Sequence, residues 1–113
     1  MKAFLVIPAR NEERWIGTVV GEASAYVDKV IVVDDGSLDK TANQAEMSAG
    51  NVIVLRQLIN LGKGHAMKTG CEAAIALGAD LIVIMDGEGQ HQPSQIPQFI
   101  SKLSEGYDIV FGF

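Results

Sequence analysis

The feature that most constrains this chain is a regular alternation of short apolar runs with segments of helical period. AFLVI (3–7), KVIVV (29–33), NVIVL (51–55), DLIVIM (80–85) and YDIVFGF (107–113) read as five strands. They are rich in β-branched or aliphatic residues and are bounded by glycine, proline or polar residues. The second is apolar at successive positions, the pattern of a strand covered on both faces. Between strands 1 and 2, Ile16, Val19, Val20, Ala23 and Val27 recur at helical spacing, with Asn11 as N-cap and Glu12 and Glu13 suited to the positive helix start. DDGSLDK turns into a second helix, with Leu38 or Ala42, Ala45 and Ala49 inward and Gly50 as its stop. A third helix is expected over about 64–77, with Ala66, Gly70, Ala73, Ala74 and Leu77 on one stripe and Gly78 ending it. Such small residues permit close packing on a sheet. Ser94 caps a fourth helix carrying Ile96, Phe99, Ile100 and Leu103, with Pro97 in its first turn and Gly106 at its end. The order βαβαβαβαβ predicts an α/β protein: an open, mostly parallel twisted sheet with helices on both faces.

The bulk properties narrow the function. A length of 113 residues fits a single domain spanning 1–113. The net charge of −5 argues against a nucleic-acid partner, which needs a basic face. It leaves small phosphate ligands open, because a divalent cation reverses the local sign. The one cysteine, Cys71, sits among small helix-face residues and reads as a buried, inert thiol, compatible with a reducing, cytosolic setting. No apolar run approaches the ~20 residues of a membrane span, and the first ten residues lack the features of a signal peptide. The chain stops on its fifth strand without a polar tail. That suggests a domain truncated after this strand, with a bare sheet edge or apolar face that favours a homodimer.

Polar residues gather where strands end. Strand 1 runs into PARNEE, strand 2 into DDGS and strand 4 into DGEGQH. All three are carboxyl ends, hence one edge of a parallel sheet, the edge that carries ligands in open α/β folds. Adjacent strand residues point to opposite faces, so Asp34 and Asp35 cannot share one role; one can brace the loop while the other faces the cleft. Ordinary turn formation before Gly36 also accounts for the pair. In DGEGQ, the alternate positions Asp86, Glu88 and Gln90 can turn oxygens toward one centre. An oxygen-only set suits Mg2+ or Mn2+ with phosphate oxygens completing the shell. The spacing fits no calcium loop, because position twelve is Pro97, and no zinc site, because there are one cysteine and two distant histidines. NLGKGHAMKTG places glycines, Lys63 and Lys68 at a helix start that could hold an anion, although it is not a P-loop; a solvated helix face explains the lysines equally well. His91 lies beside the acidic loop, His65 reads as a partly exposed helix residue, and Trp15 as packing.

Taken together, VIPARNEE, VIVVDDGSLDKT, NLGKGHAMKTG and IVIMDGEGQHQP resemble family 2 glycosyltransferases of the GT-A, Rossmann-like fold, in particular the dolichyl-phosphate mannose synthase and polyprenyl-phosphate sugar transferase group. The resemblance spans nearly the whole chain, with four motifs in order. It implies that Pro8, Arg10 and Glu12 form the first nucleotide-contacting loop. It assigns Asp35 to base recognition and places Lys63 in a loop approaching the nucleotide. Asp86, Glu88 and Gln90 match the DXD-type signature and the glutamine after it, which would hold Mg2+ or Mn2+ on the diphosphate, with Asp86 also near the ribose. Glu88 stands where the family usually has aspartate, and Arg10 where tyrosine is frequent. The implied activity is metal-dependent, inverting transfer from a GDP- or UDP-linked sugar to a polyprenyl phosphate, at the cytoplasmic face of a membrane. The acceptor site and the general base of the family belong to chain beyond Phe113; Asp108 is at the amino end of strand 5, on the wrong edge to serve.

Other classes compete. A nucleotide-binding module without transferase activity fits a chain that lacks the base. A phospho-acceptor receiver domain needs its acidic pair after strand 1 and its acceptor aspartate after strand 3, whereas here the acidic clusters follow strands 2 and 4. A nucleotidyltransferase usually opens with a glycine-rich basic loop after strand 1, which PARNEE is not.

Overall fold

The computed structural model describes residues 2–85, Pro97 and the strand at 109–111. The elements are β1 (Ala3–Ala9), α1 (Ile16–Ala23), β2 (Lys29–Asp35), α2 (Thr41–Glu46), β3 (Val52–Gln57), α3 (Lys63–Ala76), β4 (Leu81–Ile84) and β5 (Ile109–Phe111). The strands form one parallel sheet in the order β3-β2-β1-β4-β5. The chain runs outward from β1 through β2 to β3, and α3 then carries it back across the sheet to β4 on the other side of β1. The direction of winding thus reverses between β1 and β4, which opens a crevice at their carboxyl ends.

Period-two alternation divides the strand residues between two cores. Leu5, Ile7, Val30, Val32, Leu81 and Val83 face α1 and α2, meeting Ile16, Val19, Val20, Ala23 and Ala45. Phe4, Val6, Ile31, Val33, Ile82 and Ile84 face α3, meeting Ala66 and Ala74. Helices therefore cover both faces, as the unbroken apolar runs required. On α3 the stripe Ala66, Gly70, Ala74 lets the helix lie close to the sheet. A Cβ at Gly70 would meet Val6 Cγ1 at 2.4 Å and Val33 Cγ2 at 3.1 Å.

The amino edge of the sheet satisfies its own polar groups. Asp28 Oδ2 accepts from Ala3 N at 2.8 Å and Asp80 Oδ2 from Lys2 N at 2.8 Å. The Asn51 amide donates to the carbonyls of Ser24, Val27 and Asp28 at 3.2–3.3 Å. These are closed structural contacts.

Several expectations need correction. Asn11 does not cap α1: it sits in the left-handed region at φ 53, and its Oδ1 accepts from Leu38 N at 2.8 Å. A tertiary bond has taken the side chain that a local cap needs, and α1 starts later, after a turn in which Glu12 O accepts from Trp15 N and Ile16 N. The helix ends at Ala23, short of Val27. In α2, Ala42 and Ala45 are inward but Leu38 is 91% exposed, and the helix ends at Glu46 before Gly50. Leu77 at the end of α3 is also exposed, while Gly78 does end the helix, at φ 91. Trp15 is not packed inside; it is half exposed, with the Arg14 guanidinium 5.8 Å over its ring. Strand β1 continues through Pro8 to Ala9. Val6 O accepts from Met85 N, so Pro8, two residues on, faces the β4 side just past the last β1–β4 pair. Its missing N–H costs no ladder bond there. The fourth helix, with Ser94, Ile96, Phe99, Ile100 and Leu103, lies outside the described residues apart from Pro97, which is helical.

Gly70→Ala tests the close approach. The added methyl overpacks Val6 and Val33, and the variant loses about 1–3 kcal/mol of stability in urea unfolding. Gly50→Ala, where nothing lies within 4 Å of the new Cβ, leaves the midpoint unchanged.

Candidate functional site

Three loops leave the carboxyl edge at β1, β2 and β3, and hydrogen bonds join them into one rim. The first joint lies between residues 11–13 and 37–41. Asn11 N donates to Ser37 Oγ at 2.9 Å, and Leu38 N returns a bond to Asn11 Oδ1. Glu12 N donates to Thr41 Oγ1 at 2.9 Å, Glu13 N to Asp39 Oδ2 at 3.3 Å, and Lys40 N to Glu13 Oε2 at 3.2 Å. Asp39 also accepts from Thr41 N and Thr41 Oγ1. Burial pushes Asp39 up, but the bonds from Thr41 Oγ1, Thr41 N and Glu13 N outweigh it and hold the carboxyl below its ordinary range.

The second joint is built on Asp35, which is almost fully buried at the end of β2. Its Oδ1 accepts from Gln57 Nε2 at 2.8 Å and from Leu61 N at 2.8 Å; its Oδ2 accepts from Gly62 N at 3.0 Å. Gln57 Oε1 in turn lies 3.1 Å from His65 Nδ1 and 3.3 Å from Thr69 Oγ1, which ties the loop to α3. Gly36, at φ 71, brings the backbones into direct contact: a Cβ there would fall 2.6 Å from Asn60 N and 2.7 Å from Ile59 C. A side chain at this position is excluded both by φ and by space.

Asp34 and Asp35 do take separate roles. Asp34 Oδ1 accepts from Ser37 N at 3.0 Å, closing the turn, and its Oδ2 lies 3.9 Å from Arg56 Nε. The turn-forming account thus holds for Asp34, while Asp35 reaches across to the 57–62 loop. Pro8 lies at the β1/β4 crevice, Arg10 is exposed on the loop after β1, Glu12 is half-buried, and Lys63 is exposed at the start of α3, directly after Gly62. The structure therefore places Pro8, Arg10, Glu12, Asp35 and Lys63 on one edge of the sheet. Asp86, Glu88, Gln90 and His91 lie outside the described residues, as does Asp108. Met85, the last residue before them, is buried beside β1. Among the described residues no cluster of His, Cys, Asp and Glu is able to hold a metal ion.

Lys68 follows the solvated-face account, with its Nζ 4.0 Å from Glu72 Oε1 one turn on. Cys71 is half-buried, and burial pushes its thiol up, which keeps it protonated and unreactive. Sequence reasoning missed Gln57, Asp39 and Thr41. Their signal was available: Gln57 is a polar residue closing an apolar run, and SLDKT carries hydroxyl and carboxylate groups at turn spacing.

The family model for glycosyl transferase family 2 matches residues 4–113. The chain belongs to that family. A curated, uncharacterized protein of Methanocaldococcus jannaschii is 39% identical over 111 residues, covering 96% of this chain and 45% of its own length. The UDP-N-acetylglucosamine–dolichyl-phosphate N-acetylglucosaminyltransferase of Methanococcus voltae is 35% identical over 116 residues, covering 88% and 46%. The family 2 chain thus spans about half the length of these curated relatives. Among solved structures, glucosyl-3-phosphoglycerate synthase of Mycobacterium tuberculosis in complex with Mn2+, UDP-glucose and phosphoglyceric acid matches with a TM-score of 0.73 at 29% identity, over 93% of this chain and 40% of that one. The same enzyme with Mg2+ and UDP matches at 0.71, over 90% and 39%. The GT-A fold expected for the family is the fold found. No helix among the described residues is long and apolar enough to cross a membrane.

Two measurements check the joints. Asp35→Asn replaces an acceptor with a donor against the amides of Leu61, Gly62 and the Gln57 side chain; stability falls by about 1–3 kcal/mol, and the Leu61 and Gly62 amides exchange faster. The folded pKa of Asp39 lies below its ordinary 3.8. Its stabilisation is therefore full above pH 3.8 and is lost as pH falls through the lower folded value. Asp39→Asn flattens that acid limb in a thermal midpoint series and lowers the midpoint at neutral pH.

Proposed function

We propose that this family 2 chain forms the donor part of an inverting glycosyltransferase that moves a sugar from a nucleotide diphosphate to a polyprenyl phosphate. The observation that carries this reading is the joined rim: loops from β1, β2 and β3 are locked together at the carboxyl edge, beside the end of β4, which DGEGQ follows in the sequence. A diphosphate donor needs contacts from separate loops held in fixed relation, because positioning supplies much of the rate. Asp35 accepts two bonds at Oδ1 and one at Oδ2, so it retains acceptor capacity for an imino N–H of a base. Uracil is the favoured base over guanine, since both the methanococcal relative and the mycobacterial enzyme carry UDP in their names or complexes. Pro8, Arg10, Glu12 and Lys63 would surround the nucleotide, with the exposed cations of Arg10 and Lys63 facing phosphate or ribose.

Asp86, Glu88 and Gln90 are the proposed ligands for Mg2+ or Mn2+, an assignment supported by their oxygen chemistry and by the metals bound in the mycobacterial enzyme. When bound, the ion neutralises charge on the departing diphosphate. A polyprenyl phosphate acceptor is supported by the dolichyl-phosphate relative, and it would place the enzyme at a cytoplasmic membrane face.

One observation favours a narrower reading for the isolated 113 residues. Among the described residues, the buried rim carboxylates Asp34 and Asp35 are both engaged with loop groups, which supports neither as a general base. The chain alone then binds nucleotide without transferring sugar, and a radiolabelled nucleotide sugar incubated with it stays intact.

Calorimetric titration tests the main reading. UDP binds in the presence of Mn2+, and removal of the ion or Asp86→Asn weakens binding at least tenfold, about 1.4 kcal/mol. Failure of both UDP and GDP to bind with metal present would sink the reading.

A further inference from the structure

His65 stands exposed on the first turn of α3, and its Nδ1 lies 3.1 Å from Gln57 Oε1. Thr69 Oγ1, one turn on, donates to the same oxygen at 3.3 Å. The other end of the Gln57 amide donates through Nε2 to Asp35 Oδ1 at 2.8 Å. A line of hydrogen bonds therefore joins a surface histidine to the buried carboxylate that is proposed to meet the base. A solvated helix residue is the plainer account of His65. Such a residue needs no partner, however, whereas this one shares with Thr69 an oxygen of the very side chain that holds Asp35.

The sense of each bond is set at the buried end. Leu61 N donates to Asp35 Oδ1 and Gly62 N to Oδ2, so Asp35 acts as an acceptor and calls for the nitrogen of Gln57. The two ends of a glutamine amide are alike in shape and opposite in hydrogen-bonding sense. With Nε2 turned to Asp35, Oε1 faces α3 and calls for donors. The Thr69 hydroxyl rotates to supply one. His65 supplies the other when its ring proton is on Nδ1. The other neutral tautomer sets a bare nitrogen against Oε1 and favours an amide turned end for end, with its oxygen on the carboxylate. Asp35 would then lose a donor and meet a repelling oxygen. Acceptor sense at Asp35 is also what separates bases. Uracil presents N3–H at its pairing edge, whereas cytosine, of nearly the same size, presents a bare N3 there. A carboxylate held as acceptor takes the first and repels the second.

We propose that His65 is a positioning residue for base selection: as the Nδ1–H tautomer it fixes the Gln57 amide, and through it Asp35, in the sense that accepts an imino N–H. The proposal rests on the nucleotide-donor reading and adds to it the device that separates uracil from cytosine.

UDP and CDP share ribose and diphosphate, so the ratio of their affinities isolates the base. Calorimetric titration of the chain in Mn2+ gives a preference for UDP of about tenfold or more. His65→Ala, at an exposed position, lowers that ratio about fivefold, the worth of one hydrogen bond, and leaves the effect of removing Mn2+ as in wild type. His65→Asn, whose side-chain N–H can stand where Nδ1–H stood, restores the ratio. A residue that only braces α3 would change stability and leave the ratio alone. Long-range proton–nitrogen NMR correlation reads the same device without nucleotide. With His65 neutral, the wild type carries the ring proton on Nδ1, and Gln57→Leu releases it to Nε2. A proton on Nε2 in the wild type, or an unchanged ratio in His65→Ala, overturns the proposal and leaves the donor reading in place. No binding of either nucleotide by the wild type in Mn2+ overturns the donor reading, and this proposal with it.

Discussion

The rim depends on a single buried carboxylate. Asp35 ends β2 nearly out of contact with solvent, and a charge in that position is tolerable only if donors converge on it. Three do: the Gln57 amide and the backbone N–H groups of Leu61 and Gly62. Those last two are the amides immediately before α3, so the need to satisfy one side chain fixes where the helix begins and where Lys63 stands. The contact of Gly36 with the 59–60 backbone follows from the same demand. A residue assigned to ligand recognition by resemblance is therefore also the mechanical centre of the loops around it.

The two edges of the sheet make a useful contrast. At the amino edge Asp28, Asp80 and Asn51 bond to the nearest backbone groups and hold the strand ends. At the carboxyl edge the polar side chains bridge loops from different strands, and exposed cations, exposed aliphatics and the start of α3 accompany them. Carboxylates reach across the chain at both edges, Asp28 to Ala3 N and Asp80 to Lys2 N at one and Asp35 to Leu61 N and Gly62 N at the other; what differs is the crevice beside them. Fold topology explains the asymmetry, since the crevice between β1 and β4 opens only at the carboxyl edge.

Strands and cores were legible because apolar runs and period-two alternation depend on few competing terms. KVIVV is covered on both faces, and Ala66, Gly70 and Ala74 lie against the sheet, as their size and spacing indicated. The start of α3 was legible to within a residue, but that of α1 was not. Asn11 has the right chemistry for a cap, yet its Oδ1 bonds to Leu38 N, 27 residues away, and local rules carry no knowledge of such a partner. Leu38 and Leu77 fit inward positions on helical periodicity, but both lie just outside the helices that would have turned them in. At the site, the opposed roles of Asp34 and Asp35 could be read from strand geometry, and the placement of Pro8, Arg10, Glu12, Asp35 and Lys63 on one edge from the order of the elements. The partners of Asp35 could not, because Gln57 and the Leu61 amide come from a strand and a loop more than twenty residues on.

The central claim is that the carboxyl rim, and no other surface, receives a nucleotide diphosphate with its cation. Amide chemical-shift mapping with UDP and Mg2+ tests this most directly. The account predicts perturbations clustered at residues 10–13, 34–38 and 57–63, with the amino-edge residues Lys2, Asp28, Asn51 and Asp80 unmoved. Perturbations centred on that amino edge, or none at saturating ligand, would contradict it.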